Sequence, residues 1–255
     1  MYLSLLIILT IIFYLALYNN EYFIDNNIDN NIELVISRYN EDLSWINDDL
    51  FNKYAHIIYN KGTNNNFVTN SLTKNIINLK NVGRCDHTYL YHIIQNYDNL
   101  ADITIFLPGS INMDYKYTKT KMLIDEIEKH NDTVFVGYRY NNVVEELYNF
   151  KLNEWSASNK TNLKLNAEST LHLASIRPFG LWYKSKFGDL KINYVSYWGI
   201  LGISKRDILQ YPKSYYIDLI SELEISSNPE VGHYIERSWN AIFFKSKNVK
   251  YIDYI

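Results

Sequence analysis

The run IELVISRYNEDLSWINDDL, residues 32–50, decides how the chain is read. Ile32 to Ser37 is an apolar, β-branched stretch of strand type. It stops at Arg38-Tyr39-Asn40-Glu41-Asp42, after which Leu43, Trp45, Ile46 and Leu50 recur at helical spacing. The order is strand, polar loop, helix, with the charges collected at the carboxyl end of the strand. Ligands of open α/β sheets settle in the crevice beyond such ends, so the first candidate site is residues 38–42. Asn followed by two acids is also what a helix start prefers for its own sake. Arg38 beside them points either to a bound anion or to an internal ion pair.

The chain beyond repeats this grammar. Residues 55–62, AHIIYNKG, give a second strand ending in a polar Gly-containing loop, and residues 63–73 read as loop. Asn75 to Arg84 leads into Asp86-His87-Thr88-Tyr89, where Asp86 is placed to cap a helix whose apolar face is Tyr89, Leu90, Ile93, Ile94 and Tyr97. Gly83 and Arg84 precede that helix start, a position suited to an anion. Residues 101–110, ADITIFLPGS, form the clearest strand, broken by Pro108-Gly109. A surface helix over 117–130 and the strand TVFVGYRY follow, then an aromatic-bearing excursion over 141–189. Residues 192–209 give a strand and a helix starting near Ser204; Pro212 opens another, running to Leu223. Asn228-Pro229-Glu230 reads as a capped start with proline at the first helical position, opening a last helix, VGHYIERSWNAIFF. The alternation predicts one α/β domain over residues 32–255, a mostly parallel sheet flanked by helices.

Net charge is −3 with Lys and Arg scattered, which excludes a nucleic-acid-binding surface as the leading reading. Hydrophobic residues at 47% suffice for a sizeable core. The single Cys85 excludes an internal disulfide framework. Residues 2–18 carry no charge and are almost wholly apolar. As a helix they would cover about 26 Å at ~1.5 Å per residue, close to the ~30 Å of a bilayer core. No Lys or Arg precedes the run and LALYNN is a poor cleavage site, so the expectation is an uncleaved single-pass membrane anchor, residues 1–18, with a polar linker over 19–31. The flanks lean toward a domain outside the cytosol, with which the sequons at Asn131 and Asn159 are compatible.

On the last helix, Glu230, His233 and Arg237 share one stripe at 100° per residue, with Glu236 about 60° aside. A carboxylate and an imidazole one turn apart suit a general base with its orienting partner, or two metal ligands; a dipole-stabilising Glu beside surface residues has the same pattern. Asn60-Lys61-Gly62 is either a phosphate contact or a plain turn, and His87 either meets a phosphate or ribose or lies on the helix surface. There is no phosphate-binding P-loop, no Gly-x-Gly-x-x-Gly, no Gly-x-Ser-x-Gly and no His-Glu-x-x-His, which removes the support for nucleotide triphosphatase, dinucleotide dehydrogenase, serine hydrolase and zincin readings.

The stretches VISRYNEDLSW, IIYNKG, NVGRCDHTYLYHIIQNYDNLADITIFLPG and NPEVGHYIERSWNAIF together resemble a family of domains of unknown function found in fungi, other eukaryotes and large DNA viruses, in order over about residues 32–245. Its members are similar to glycosyltransferases of the GT-A type. The resemblance implies a GT-A-like, Rossmann-like fold that binds a nucleotide sugar and transfers the sugar to a glycan or glycoprotein. On the donor side it implies Arg38, Tyr39, Asn40, Glu41, Asp42, Asn60, Lys61, Gly83, Arg84 and His87, with Trp198 and His233 counted among the substrate-binding residues. Glu230 is implied as catalytic base ahead of Glu236. GT-A enzymes usually carry Asp-x-Asp after the strand matching ITIFL, holding Mn²⁺ or Mg²⁺ against the diphosphate; here the chain has Leu107-Pro108-Gly109-Ser110, and Cys85 stands where the family usually has Glu. The diphosphate is then neutralised by Arg38, Lys61 and Arg84, or metal ligands come from elsewhere, such as Asp114 or His233. The rival readings are an inactive GT-A-like carbohydrate- or protein-binding module and a hydrolytic or phosphoryl-transfer enzyme using the same crevice.

Overall fold

The computed structural model describes residues 31–140, 145–152 and 171–254. Among these, seven strands form one sheet: β1 (Ile32–Arg38), β2 (Ala55–Asn60), β3 (Thr73–Asn78), β4 (Ile103–Pro108), β5 (Thr133–Arg139), β7 (Tyr194–Ser204) and β9 (Val249–Asp253), in the order β3-β2-β1-β4-β7-β5-β9. β6 (Leu171–His172) and β8 (Asn228–Pro229) pair separately. β7 runs antiparallel to both its neighbours, while the other pairings are parallel. The predicted mixed α/β domain with a mostly parallel sheet is what the chain forms. The expected anchor, residues 1–18, and residues 19–30 of the linker lie outside the described residues. Among the described residues no helix is long and apolar enough to cross a membrane.

The helices are α1 (Arg84–Gln95), α2 (Asp114–His130), α3 (Glu145–Tyr148), α4 (Phe179–Phe187), α5 (Lys205–Ile208), α6 (Lys213–Ser221), α7 (Glu230–Glu236) and α8 (Trp239–Ile242). They form layers on both faces of the sheet, and the strands alternate between two cores as their period of two requires. Leu34, Ile36, Ile103, Ile105 and Leu107 face α2 residues Leu123, Ile124 and Ile127, together with Trp45 and Phe51. Val35, Tyr59 and Phe106 face Leu90 and Ile93 of α1, Trp182 of α4, Tyr216 of α6, Tyr234 of α7 and Trp239 of α8. Both faces being covered explains why these strands read as continuous apolar runs rather than alternating ones.

Four local expectations are corrected. The helix expected after β1 is a single 3-10 turn, Ser44–Asn47, with Leu43 at its start. Asp42 instead accepts from the amide and hydroxyl of Ser44, closing a turn on itself, and Trp45 donates from Nε1 to the Gly109 carbonyl. Asp86 is not a cap. A left-handed Gly83, whose N–H is held by the Ser226 carbonyl, starts α1 earlier and carries Asp86 into the core. Asn228 does not cap α7: strand pairing with Leu171 keeps it extended, and Pro229 takes the cap position itself. The expected single last helix is two, α7 and α8, because the Ser238 hydroxyl back-bonds to the Tyr234 carbonyl and bends the backbone between them.

Ile105, wholly buried in β4 between β1 and β7, tests the two-faced packing. Ile105→Ala should cost about 2–5 kcal/mol, seen in urea as a lower unfolding midpoint with an unchanged slope.

Candidate functional site

The strand order reverses between β1 and β4. From β1 the chain adds β2 and β3 on one side, then returns along α1 to place β4 on the other. Such a reversal opens a crevice at the carboxyl ends of the strands. The pairing register aligns those ends: Arg38 opposes Asn60, Ser37 opposes Pro108, and Asn60 opposes Asn78. A cleft of about 640 Å³ lies at this edge, lined by Ser37, Arg38, Tyr39, Glu41, Lys61, Asn81, Arg84, Cys85, Pro108, Ser110, Tyr115, Lys116, Tyr197, Trp198, His233, Glu236 and Arg237. Five cationic side chains therefore face two carboxylates, a balance that favours an anionic ligand.

Arg38 builds one wall rather than offering itself to a ligand. Its side chain is 2% exposed and donates from Nε to the Glu41 carbonyl (2.9 Å), and from Nη1 to the Tyr39 carbonyl (3.1 Å), Asn60 Oδ1 (2.8 Å) and the Asn64 carbonyl (2.8 Å). Its guanidinium also lies 4.2 Å over the Phe67 ring. Glu41 is likewise turned inward, its Oε2 accepting from the amides of Tyr39 and Asn40 at 2.6 and 3.1 Å. Gly62 lets the two loops touch: a Cβ there would sit 1.6 Å from the Tyr39 carbonyl oxygen. Lys61 donates from Nζ to the carbonyls of Val82 and Arg84, and burial pulls its pKa down to about 8.

The other wall comes from β7 and α7. Trp198 and Gly199 both adopt positive φ, 71° and 66°, in the irregular part of β7. The turned backbone presents the Trp198 N–H to Glu236 Oε1 at 3.1 Å, and the Gly199 carbonyl accepts from the Tyr89 hydroxyl at 2.7 Å. Arg237 lies 3.9 Å from Glu236 Oε2, donates to the His233 carbonyl and stacks 3.8 Å over Phe150. His233 Nε2 is paired with Asn228 Oδ1 at 3.1 Å, and burial, with Arg84 and Arg237 nearby, holds its pKa well below the usual value. Below this wall Asp86 is fully buried and accepts from Trp239 Nε1 at 2.8 Å; burial and the neighbouring Glu236 push its pKa up to about 7.

Of the residues singled out in the sequence, the cleft assembles Arg38, Tyr39, Glu41, Lys61, Arg84, Trp198, His233 and Glu236. Asn40, Asp42, Asn60, Gly83, His87 and Glu230 are not among its lining. Asn60 cross-links loops through Arg38, Gly62 and Asn65. His87 is buried and stacked on Tyr91, and burial takes its pKa down to about 3. Glu230, the base expected from the sequence, is wholly buried: its carboxylate accepts from the amides of Leu152 and Ala174 at 2.8 and 2.9 Å and pairs with Arg177 Nε at 2.7 Å. Tyr115, Lys116, Tyr197 and Asp86 were not foreseen. Lys116 escaped because its helix was started at residue 117, whereas α2 begins at Asp114. Among the described residues, no three His, Cys, Asp or Glu side chains are grouped to hold a metal ion.

The profile of the family described as "Protein of unknown function (DUF3431)" matches residues 34–253. The chain belongs to this family. Every residue lining the cleft falls inside the DUF3431 match. No curated protein matches the chain.

A native carboxyl that keeps its proton up to about 7 binds more protons folded than unfolded above the ordinary value of ~3.9. The contribution of Asp86 to stability is therefore full at low pH and falls as pH rises from about 4 toward about 7. Asp86→Asn should flatten that part of the stability profile, measured as urea midpoints at a series of pH values; an unaltered slope would reassign it to another group.

Proposed function

We propose that the protein is a glycosyltransferase on a GT-A-like scaffold, moving a sugar from a nucleotide-sugar donor to a hydroxyl of a glycan or glycoprotein. The observation that carries this reading is the placement of Glu236. Its carboxylate is fixed by the Trp198 amide in a cation-rich cleft at the reversal point of the sheet. In an inverting transfer such a carboxylate takes the proton of the acceptor hydroxyl as its oxygen attacks the anomeric carbon. The surplus of bases favours the phosphates of a donor, and the rings of Tyr115, Tyr197 and Trp198 offer apolar faces to a sugar on the same rim. Glu236 thereby replaces Glu230 as the proposed base, since both oxygens of Glu230 are committed to Leu152, Ala174 and Arg177. Residues 1–18 remain the proposed single-pass anchor.

A second reading, a sugar-binding module without turnover, is favoured by the exposed rings of Tyr115 and Tyr138, the latter 5.6 Å from Trp198 between centroids. Incubating the purified protein with a panel of nucleotide sugars separates the two: turnover of any donor, by transfer or slow hydrolysis, supports the enzyme, and binding of glycans alone supports the module. The two acids of α7 should also part company. Glu236→Gln should lower turnover by about 10²–10⁴-fold with donor binding retained. Glu230→Gln should instead lower stability by about 3 kcal/mol by breaking a buried pair, with the residual folded enzyme still active.

A further inference from the structure

One wall of the cleft is formed by the end of β4, at Pro108 and Ser110. GT-A enzymes place carboxylates after the strand corresponding to β4 to hold a divalent cation on the donor diphosphate; here that strand runs into Pro108-Gly109-Ser110. The side chain at this place is an amine. Lys116, in the first turn of α2, lies back along the helix to meet the loop, and its Nζ donates to Ser110 Oγ at 2.6 Å. Ser110 is neutral and takes one of the ammonium's three protons. It is the one hydrogen-bond partner of that ammonium among the described residues. The charge is half-buried and lines the same cleft as Glu236, Glu41 and the exposed Arg84 at the start of α1. Burial lowers the Lys116 pKa while Glu236 and Glu41 oppose that shift, so the carboxylates help hold the proton. The donor set does not fit a metal. Glu41 Oε2 accepts from the Tyr39 and Asn40 amides, no three His, Cys, Asp or Glu side chains are grouped among the described residues, and the Lys116 ammonium lining the same cleft repels a divalent cation.

We propose that Lys116, with Arg84 across the cleft, is the electrophilic group of a metal-independent transfer, standing where a divalent cation would otherwise meet the leaving diphosphate. This inference rests on the glycosyltransferase reading and names a further catalytic residue within it. In the step, the acceptor O–H gives its proton to Glu236 and its oxygen bonds to the anomeric carbon. The bond from that carbon to the phosphate oxygen breaks, and its electron pair leaves on the nucleoside diphosphate. The diphosphate gains one negative charge at that moment, and a preplaced ammonium stabilises it more strongly in the transition state than in the bound donor.

The test uses the full chain and two readouts. The first is calorimetric binding of the 5′-diphosphates and 5′-monophosphates of uridine, guanosine, adenosine and cytidine in EDTA. The second is turnover of the nucleotide sugar that the panel selects, in EDTA and in Mn²⁺. Lys116→Met and Lys116→Arg are compared with the unaltered protein, their folding checked by urea midpoint. The expected result is diphosphate binding and full turnover in EDTA, and a preference for diphosphate over monophosphate that collapses in Lys116→Met. That variant should also lose about 10²-fold or more in kcat, with partial recovery in Lys116→Arg. Turnover abolished by EDTA and restored by Mn²⁺, or a folded Lys116→Met with unaltered kcat and diphosphate preference, would overturn the inference and leave the transferase intact. Failure of every nucleotide and nucleotide sugar to bind would instead overturn the transferase reading, and this one with it.

Discussion

A guanidinium taken out of water must find acceptors, because an unpaired buried charge is among the most destabilising things a fold can contain. Arg38 is that charge here, and two loops are shaped by its demand. Carbonyls from Tyr39 and Glu41 on its own loop, the amide oxygen of Asn60 at the end of the next strand and the carbonyl of Asn64 all turn toward it. Asn60 then passes the constraint outward through Asn65 and the Gly62 amide. The carboxyl edge of these strands, the candidate site, is thus stiffened by the chain's own contacts. That lowers the ordering cost of binding. The same commitment takes Arg38 out of the pool of groups available to a phosphate.

Arg38 and Lys61 serve as internal cross-links, whereas Arg84 and Lys116 stand at the opening with at most one side-chain hydrogen bond each among those found in the described residues. The acids divide in the same way along α7, where Glu230 ties the helix start to residues 152, 174 and 177, and Glu236 at its end meets the cleft. Six residues separate them, which turns the helix by about 240° at ~100° per residue, so one helix supplies a structural and a cleft-facing carboxylate to different neighbourhoods.

Much of this architecture was legible because the strands are buried on both faces. ITIFL and VISR announce themselves as apolar runs, and their ends mark the ligand edge without any structure. β9 was not foreseen: VKYID is an edge strand with only intermediate and exposed residues, and it gives no apolar run. The roles of charged residues were the least legible. Sequence places Arg38, Lys61 and Glu41 at the edge, yet whether a charge points inward to carbonyls or outward to solvent depends on loops from residues 60–64 and 81–84 that no local pattern predicts. The surroundings of Glu230 and Glu236 were illegible for a similar reason. Helical periodicity gives their angular separation but not which side of the helix faces the cleft, and that is fixed by the pairing of Asn228 with Leu171 and by the turned backbone at Trp198.

β7 enters the sheet between β4 and β5 from the opposite direction, and this has a bearing on how the molecule is made. Its early half, not its end, reaches the ligand edge, and α7 must then close over it, so the cleft draws on residues from Ser37 to Arg237. Contacts of such sequence separation form late and slowly. While the chain emerges from a ribosome, β1, β2 and β4 can pair and present a bare edge, but one wall is missing until residues 194–237 have been synthesised. The gap that β7 fills is meanwhile flanked by exposed strand edges, a place where pairing with the wrong chain competes with completion. The cleft is therefore completed only when β7 and α7 have joined the sheet, and fragments ending before β7 lack one of its walls.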